Sequence, residues 1–122
     1  MKVLIADDSA FMRSILKDIV AKSKWGSAEI IEATNGTEAV AKYTAEQPDL
    51  VLLDVIMPEK DGIGVLKDIG HSAKSIVIVS SVDQKEVIDE AKSLGARDYI
   101  LKPFDAGQVT AVLNEMAPRD AA

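Results

Sequence analysis

VLLDVIMPEKDG, residues 51–62, decides how the rest of the chain is read. Leu50 to Leu53 form an unbroken apolar run without the polar alternation of a half-exposed strand, so the run reads as a strand covered on both faces. It stops on a carboxylate, Asp54, and passes into a Met-Pro pair and an Asp-Gly turn. Any turn residue could end a strand. An acid at this point gains meaning only when the other strand ends are set beside it.

Working outward, KVLIA (2–6), AEIIEA (28–33), LVLLD (50–54), SIVIVS (75–80) and RDYIL (97–101) read as strands. Three of them are continuous Val/Ile/Leu runs. Helix patterns lie between them. Phe11, Ile15, Leu16, Ile19 and Val20 are expected on one buried stripe behind an N-cap at Ser9. Asn35 and Glu38 have capping-box spacing before Ala39, Val40 and Tyr43, with Pro48 beyond the end. A third helix, about 62–70, carries Leu66 and Ile69 but is weakened by Gly64. Val87, Ile88, Ala91 and Leu94 form a fourth stripe closed by Gly95. Asp105 with Gln108 starts a fifth, with Val109, Val112, Leu113 and Met116 on its buried face. Five strands alternating with five helices predict an α/β doubly wound fold, right-handed crossovers and a parallel sheet covered on both sides. In such sheets ligands sit beyond the carboxyl ends of the strands.

The bulk composition narrows the function classes. The chain has 122 residues, 48% apolar and 28% charged, which suits one globular domain. No apolar run approaches the roughly 18 residues that span a bilayer, so no membrane association is expected. Zero cysteines exclude disulfides and thiol nucleophiles and suit a cytoplasmic location. A net charge of −6 repels phosphate backbones, so direct nucleic-acid binding is not expected. The single His71 makes a histidine metal site or a Ser-His-Asp triad improbable and reads as a surface residue at a helix end.

The strand ends carry the chemistry. Strand one ends in Asp7-Asp8, strand three in Asp54, strand four in Ser80-Ser81 and strand five in Lys102-Pro103. A parallel sheet puts all four on one edge. Three carboxylates within a few ångströms raise one another's pKa unless a cation relieves them. An oxygen-only donor set favours Mg²⁺, with Mn²⁺ as the alternative. A carboxylate beside that cation, an ammonium and a hydroxyl is placed to accept a phosphoryl group. Taken singly, each motif has a bland explanation as an N-cap or a loop residue. Four strand ends together do not.

In these motifs the chain resembles the receiver domains of two-component response regulators, over Lys2 to about Ala117. The resemblance rests on Asp7-Asp8, on D-x-x-M-P-x-x-D-G as Asp54, Met57, Pro58, Asp61 and Gly62, on the Ser80 hydroxyl and on K-P-F as Lys102-Pro103-Phe104. It implies a flavodoxin-like (βα)5 fold with strand order 2-1-3-4-5. It also implies a receiver domain over 1–117, with 118–122 a tail or linker stub. Asp54 would be the phosphoacceptor, supplied by a sensor histidine kinase or phosphotransfer domain. Asp8 and Asp54 would ligate Mg²⁺ directly, Asp7 would assist or act through water, and the Ile56 backbone carbonyl would be a further ligand. Lys102 and Ser80 would contact the phosphoryl oxygens, helped by the Ser81 backbone N–H. Tyr99 matches the aromatic that rotates inward as Ser80 moves, and the Lys102–Pro103 bond would be cis. The output surface for a downstream protein would be the face of helix 4, strand 5 and helix 5, roughly Lys85 to Val112.

Some positions depart from the family's habits. Ser80 stands where Thr is commoner, and Ser81 where Ala is frequent. Ile56 and Val82 are apolar where side chains tune dephosphorylation, so slow to moderate self-hydrolysis is expected. Trp25 lies before strand two, away from Asp54, and reads as a packing residue rather than a reporter. Among rivals, an aspartate-nucleophile phosphatase needs an acid two residues after the nucleophile, where Ile56 stands. A flavodoxin needs a Ser/Thr/Gly-rich phosphate loop where this chain has DDSAFM. A phosphorylation-independent scaffold usually lacks one of the acids or the lysine. No output domain is read after Ala117. The expectation is a free-standing, chemotaxis-type regulator that signals by docking, with a receiver excised from a longer protein such as a methylesterase as the alternative. It would not be an enzyme acting on an outside substrate.

Overall fold

A computed structural model describes residues 1–118; most of the expected tail, 119–122, lies outside the described residues. The elements run β1 (Lys2–Ala6), α1 (Ala10–Ala21), β2 (Glu29–Ala33), α2 (Gly36–Glu46), β3 (Leu50–Leu53), α3 (Gly62–Ile69), β4 (Ile76–Ser80), α4 (Lys85–Ser93), β5 (Asp98–Leu101) and α5 (Ala106–Met116). All five strands are parallel, in the order β2-β1-β3-β4-β5. The three unbroken apolar runs are the three central strands. The mixed sequences of β2 and β5 sit at the edges, where one flank meets no strand.

Successive side chains of a strand leave on opposite faces, which builds two cores. On one side Leu4, Val51, Leu53, Ile76 and Ile78 pack with residues of α2, α3 and α4, including Ala39, Tyr43, Leu66 and Ala91. On the other, Val3, Ile5, Leu52, Val77 and Val79 pack with α1 and α5 through Leu16, Ile19, Val109 and Leu113. Trp25 closes the second core as a packing residue: it is buried, and its indole Nε1 donates to the Leu113 carbonyl at 2.8 Å.

Four helices start on a side-chain cap. Ser9, Asn35, Asp61 and Asp105 accept from the backbone N–H of Met12, Glu38, Gly64 and Gly107 respectively. Three sequence expectations need correction. Glu38 does not close a box on Asn35; its carboxylate accepts from the Thr34 N–H at 3.0 Å, one residue further back. Gly64 is not in the interior of α3 but in its first turn, where the Asp61 cap accepts its N–H at 2.8 Å. Phe11 is not on the buried stripe and is 75% exposed. At about 100° per residue, Phe11 lies about 140° round the helix from Leu16, and Met12 takes the place packed against the core.

Beyond α4, Gly95 adopts φ +119, and a Cβ there would lie 2.4 Å from the Gly70 carbonyl oxygen. The C-terminal ends of α3 and α4 therefore meet backbone to backbone. His71, just past α3, is exposed as expected.

Candidate functional site

Strand β3 finishes at Leu53, so Asp54 is the first residue past it rather than its last. It is still held by the sheet: the Asp54 N–H donates to the Ala6 carbonyl at 3.0 Å. Asp7 occupies the equivalent position after β1, and its N–H donates to the Ala33 carbonyl at 3.1 Å. The rigid central strands thus present two carboxylates side by side. Both are buried, Asp7 2% and Asp54 7% exposed, whereas Asp8 is open to solvent.

Lys102 completes the cluster from β5. Its N–H donates to the Ser80 carbonyl at 2.9 Å, and the following Lys102–Pro103 peptide is cis. Its Nζ lies 2.8 Å from Asp7 Oδ2 and 3.0 Å from Asp54 Oδ2. Burial of the ammonium works against its charge, but hydrogen bonds to Asp7 and Asp54 outweigh it and hold its pKa above the ordinary lysine value. The other oxygens are aimed locally: Asp7 Oδ1 accepts from the Ser9 N–H at 2.9 Å, and Asp54 Oδ1 from the Ile56 N–H at 3.3 Å.

One carboxylate oxygen from each of Asp7, Asp8 and Asp54 can be chosen so that all lie within 4.8 Å of one another. With no nitrogen or sulfur donor among them, this set fits a small hard dication such as Mg²⁺. One lysine against three carboxylates leaves negative charge for such an ion to neutralise.

The remaining expected residues are brought near in different ways. Ser80 is fully buried, but its Oγ accepts the Val82 N–H at 3.2 Å, and its hydroxyl is not hydrogen-bonded to the side chain of Asp54 or Lys102. Ser81 is exposed on the loop that follows. Ile56 exposes 60% of its surface. Tyr99 is half-buried, and its hydroxyl donates to the Val82 carbonyl at 2.6 Å. Burial raises the Tyr99 pKa, the Ser80 hydroxyl pulls the other way, and the charges of Asp54 and Asp83 add to the rise. Tyr99 and Ser80 therefore share one anchor, the backbone of Val82.

Two contacts escaped the sequence. A Cβ at Gly62 would lie 2.3 Å from the Asp54 carbonyl oxygen, so the start of α3 presses on the backbone of Asp54 itself. Arg13 Nη1 donates to the Asp7 carbonyl at 2.7 Å. The Asp-Gly pair hinted at the first; nothing in the local pattern signalled the second.

The family model for the response regulator receiver domain matches residues 3–114. The chain belongs to the response regulator receiver domain family. It is 44% identical to the chemotaxis protein CheY of Thermotoga maritima over 119 residues, covering 95% of this chain and 97% of that one. It is 42% identical to the Bacillus subtilis CheY over 116 residues, covering 93% and 95%. Among solved structures, a CheX–CheY–BeF3–Mg complex from Borrelia burgdorferi matches with a TM-score of 0.86 and 31% identity, over 97% of this chain and 90% of that one. This receiver domain is thus a CheY-like signalling protein of the chemotaxis type, with the flavodoxin-like fold. Among the described residues, no helix is long and apolar enough to cross a membrane.

Proposed function

We propose that Asp54 is the phosphoacceptor of this receiver, supplied by a sensor histidine kinase or phosphotransfer domain. The observation that supports it most is the pairing of Lys102 Nζ with both Asp7 and Asp54 at the sheet edge. Asp54 is buried and backbone-tethered, and its side chain is already oriented, which lowers the entropy lost on reaching an in-line geometry. A bond forms from an Asp54 carboxylate oxygen to phosphorus as the donor's bond to phosphorus breaks. Lys102 offsets charge on the transferring oxygens. Asp7, Asp8, Asp54 and the Ile56 carbonyl are the residues to hold Mg²⁺, or Mn²⁺ in its place. When bound, the ion neutralises charge on the phosphoryl oxygens. Asp7 already engages Lys102, which suits its assisting role beside Asp8 and Asp54.

Phosphorylation adds charge and acceptor oxygens at Asp54. The Ser80 hydroxyl can leave the Val82 N–H for a phosphoryl oxygen, with the Ser81 N–H as a second donor. Because Tyr99 is bonded to the Val82 carbonyl, that exchange bears directly on the aromatic that reports to the α4–β5–α5 face. A downstream protein reads that face. The protein works in the cytoplasm as a switch rather than as an enzyme on an outside substrate, and residues 1–117 carry this activity. A contact-only scaffold is disfavoured because every charged group needed for transfer is present and assembled.

Incubation with acetyl phosphate and Mg²⁺, followed by intact mass, tests the proposal. One added phosphoryl group is expected on the wild type and none with EDTA or in Asp54→Asn. An adduct that persists in Asp54→Asn would overturn it.

A further inference from the structure

Resting on the reading of Asp7, Asp8 and Asp54 as a cation site, we propose that Arg13 is a positioning residue for that site. Arg13 stands in the first turns of α1, and its side chain is 13% exposed. Its guanidinium is used as a fork. Nη1 donates to the Asp7 carbonyl at 2.7 Å, and Nε donates to Glu32 Oε1 at 2.9 Å on the neighbouring strand β2. Glu32 is itself held by Lys17 Nζ at 3.1 Å.

The Asp7 carbonyl belongs to the peptide plane that joins Asp7 to Asp8. That plane is rigid, so fixing its oxygen fixes the direction in which the Asp8 Cα and side chain leave the strand. Asp7 has other tethers, through its N–H to Ala33 and its carboxylate to Ser9 and Lys102. Among the described residues nothing hydrogen-bonds the exposed Asp8 side chain, so its placement depends on the plane. Arg13 therefore sets the relative placement of two carboxylates without touching the ion.

Its charge has the opposite sign of effect. A cation beside a cation site repels the ion, and Glu32 offsets that repulsion. The hydrogen-bonding depresses the Glu32 pKa, chiefly through Arg13 and then Lys17, and keeps the offsetting charge in place. Geometry and charge thus predict opposite outcomes for removing the guanidinium. A lysine at position 13 carries the charge but lacks the planar fork that reaches two acceptors.

The test is Mg²⁺ affinity measured by isothermal titration calorimetry, on proteins shown by thermal unfolding to be folded at the working temperature. Arg13→Met is expected to weaken Mg²⁺ binding about tenfold, the lower end for a partner that orients a ligand. Arg13→Lys should also weaken it, while Lys17→Met, which removes a nearby charge without touching Asp7, should leave it within twofold. Saturating Mg²⁺ should restore the acetyl phosphate rate of Arg13→Met. Unchanged or tighter binding in Arg13→Met would overturn the proposal, as would an equal loss in Lys17→Met. If the wild type itself takes up no Mg²⁺ at millimolar concentration while its acetyl phosphate reaction proceeds, the cation-site reading fails and this inference with it.

Discussion

Lys102 shows how one residue can hold two buried carboxylates together. Its ammonium is the shared partner of Asp7 and Asp54, both buried, and hydrogen bonds to charged groups contribute about 1.5–3 kcal/mol each. Lys102→Met is therefore expected to lower unfolding free energy in EDTA by about 3–5 kcal/mol, the range for a buried ion pair that loses one partner. Adding Mg²⁺ should recover much of that loss, because an ion that binds only the folded state stabilises it by mass action. Urea denaturation with and without the ion measures the difference; an equal deficit in both conditions would mean that lysine and ion do not serve the same carboxylates. Residue by residue, the charged members of the site were legible because each follows a strand. Ser80 was legible as a hydroxyl at the edge, but its actual partner, the Val82 N–H, was not, since a serine's rotamer is set by the loop around it.

At the scale of elements, position matters more than propensity. Gly62 opens α3 directly against the Asp54 carbonyl. Gly62→Ala should destabilise by about 1–3 kcal/mol, as overpacking does. It should also slow phosphorylation by acetyl phosphate in protein that remains folded, since the displaced atom belongs to Asp54. Normal stability and normal rate together would show that α3 yields without cost. At the opposite end of the sheet, Asp49 Oδ2 accepts the Lys2 N–H at 2.9 Å and Oδ1 meets Lys74 Nζ at 3.1 Å. The Lys2 N–H first, and Lys74 after it, hold the Asp49 pKa below its ordinary value against the effect of burial. A carboxylate with a depressed folded pKa contributes stability above its unfolded pKa and loses it as pH falls through the folded one. The gap in urea midpoint between wild type and Asp49→Asn should be widest near neutral pH and close from about pH 4 downward. A constant gap would assign Asp49 a role independent of charge. Helix α1 shows where the sequence misleads. An amphipathic stripe was visible, but an apolar Phe11 beside it looked like a member, and only the rotation of the helix excludes it.

For the whole molecule, the parallel α/β architecture was readable because its three central strands are unbroken apolar runs, which few other environments tolerate. The edge strands gave mixed signals, and strand ends moved by a residue at the edges and in the centre alike: Ala28 and Arg97 fall outside edge strands β2 and β5, and Asp54 and Ser75 outside central strands β3 and β4. Strand order was supplied by family resemblance, since nothing in β1 or β3 states which neighbour it pairs with. The cluster of Asp7, Asp8 and Asp54 was legible because one topology gathers the carboxyl ends of all the strands. The Arg13–Asp7 and Gly62–Asp54 contacts were not, because they depend on distances between elements. The central claim remains that this geometry makes Asp54, and no other acid at the edge, the phosphoacceptor. Borohydride reduction of protein treated with acetyl phosphate and Mg²⁺, followed by peptide mass mapping, tests it directly: an acyl phosphate is reduced to an alcohol, leaving homoserine where the acceptor stood. Homoserine at position 54 alone is the predicted result. Homoserine at Asp7, Asp8 or Asp61, or an unreduced phosphate ester on Ser80, would contradict it.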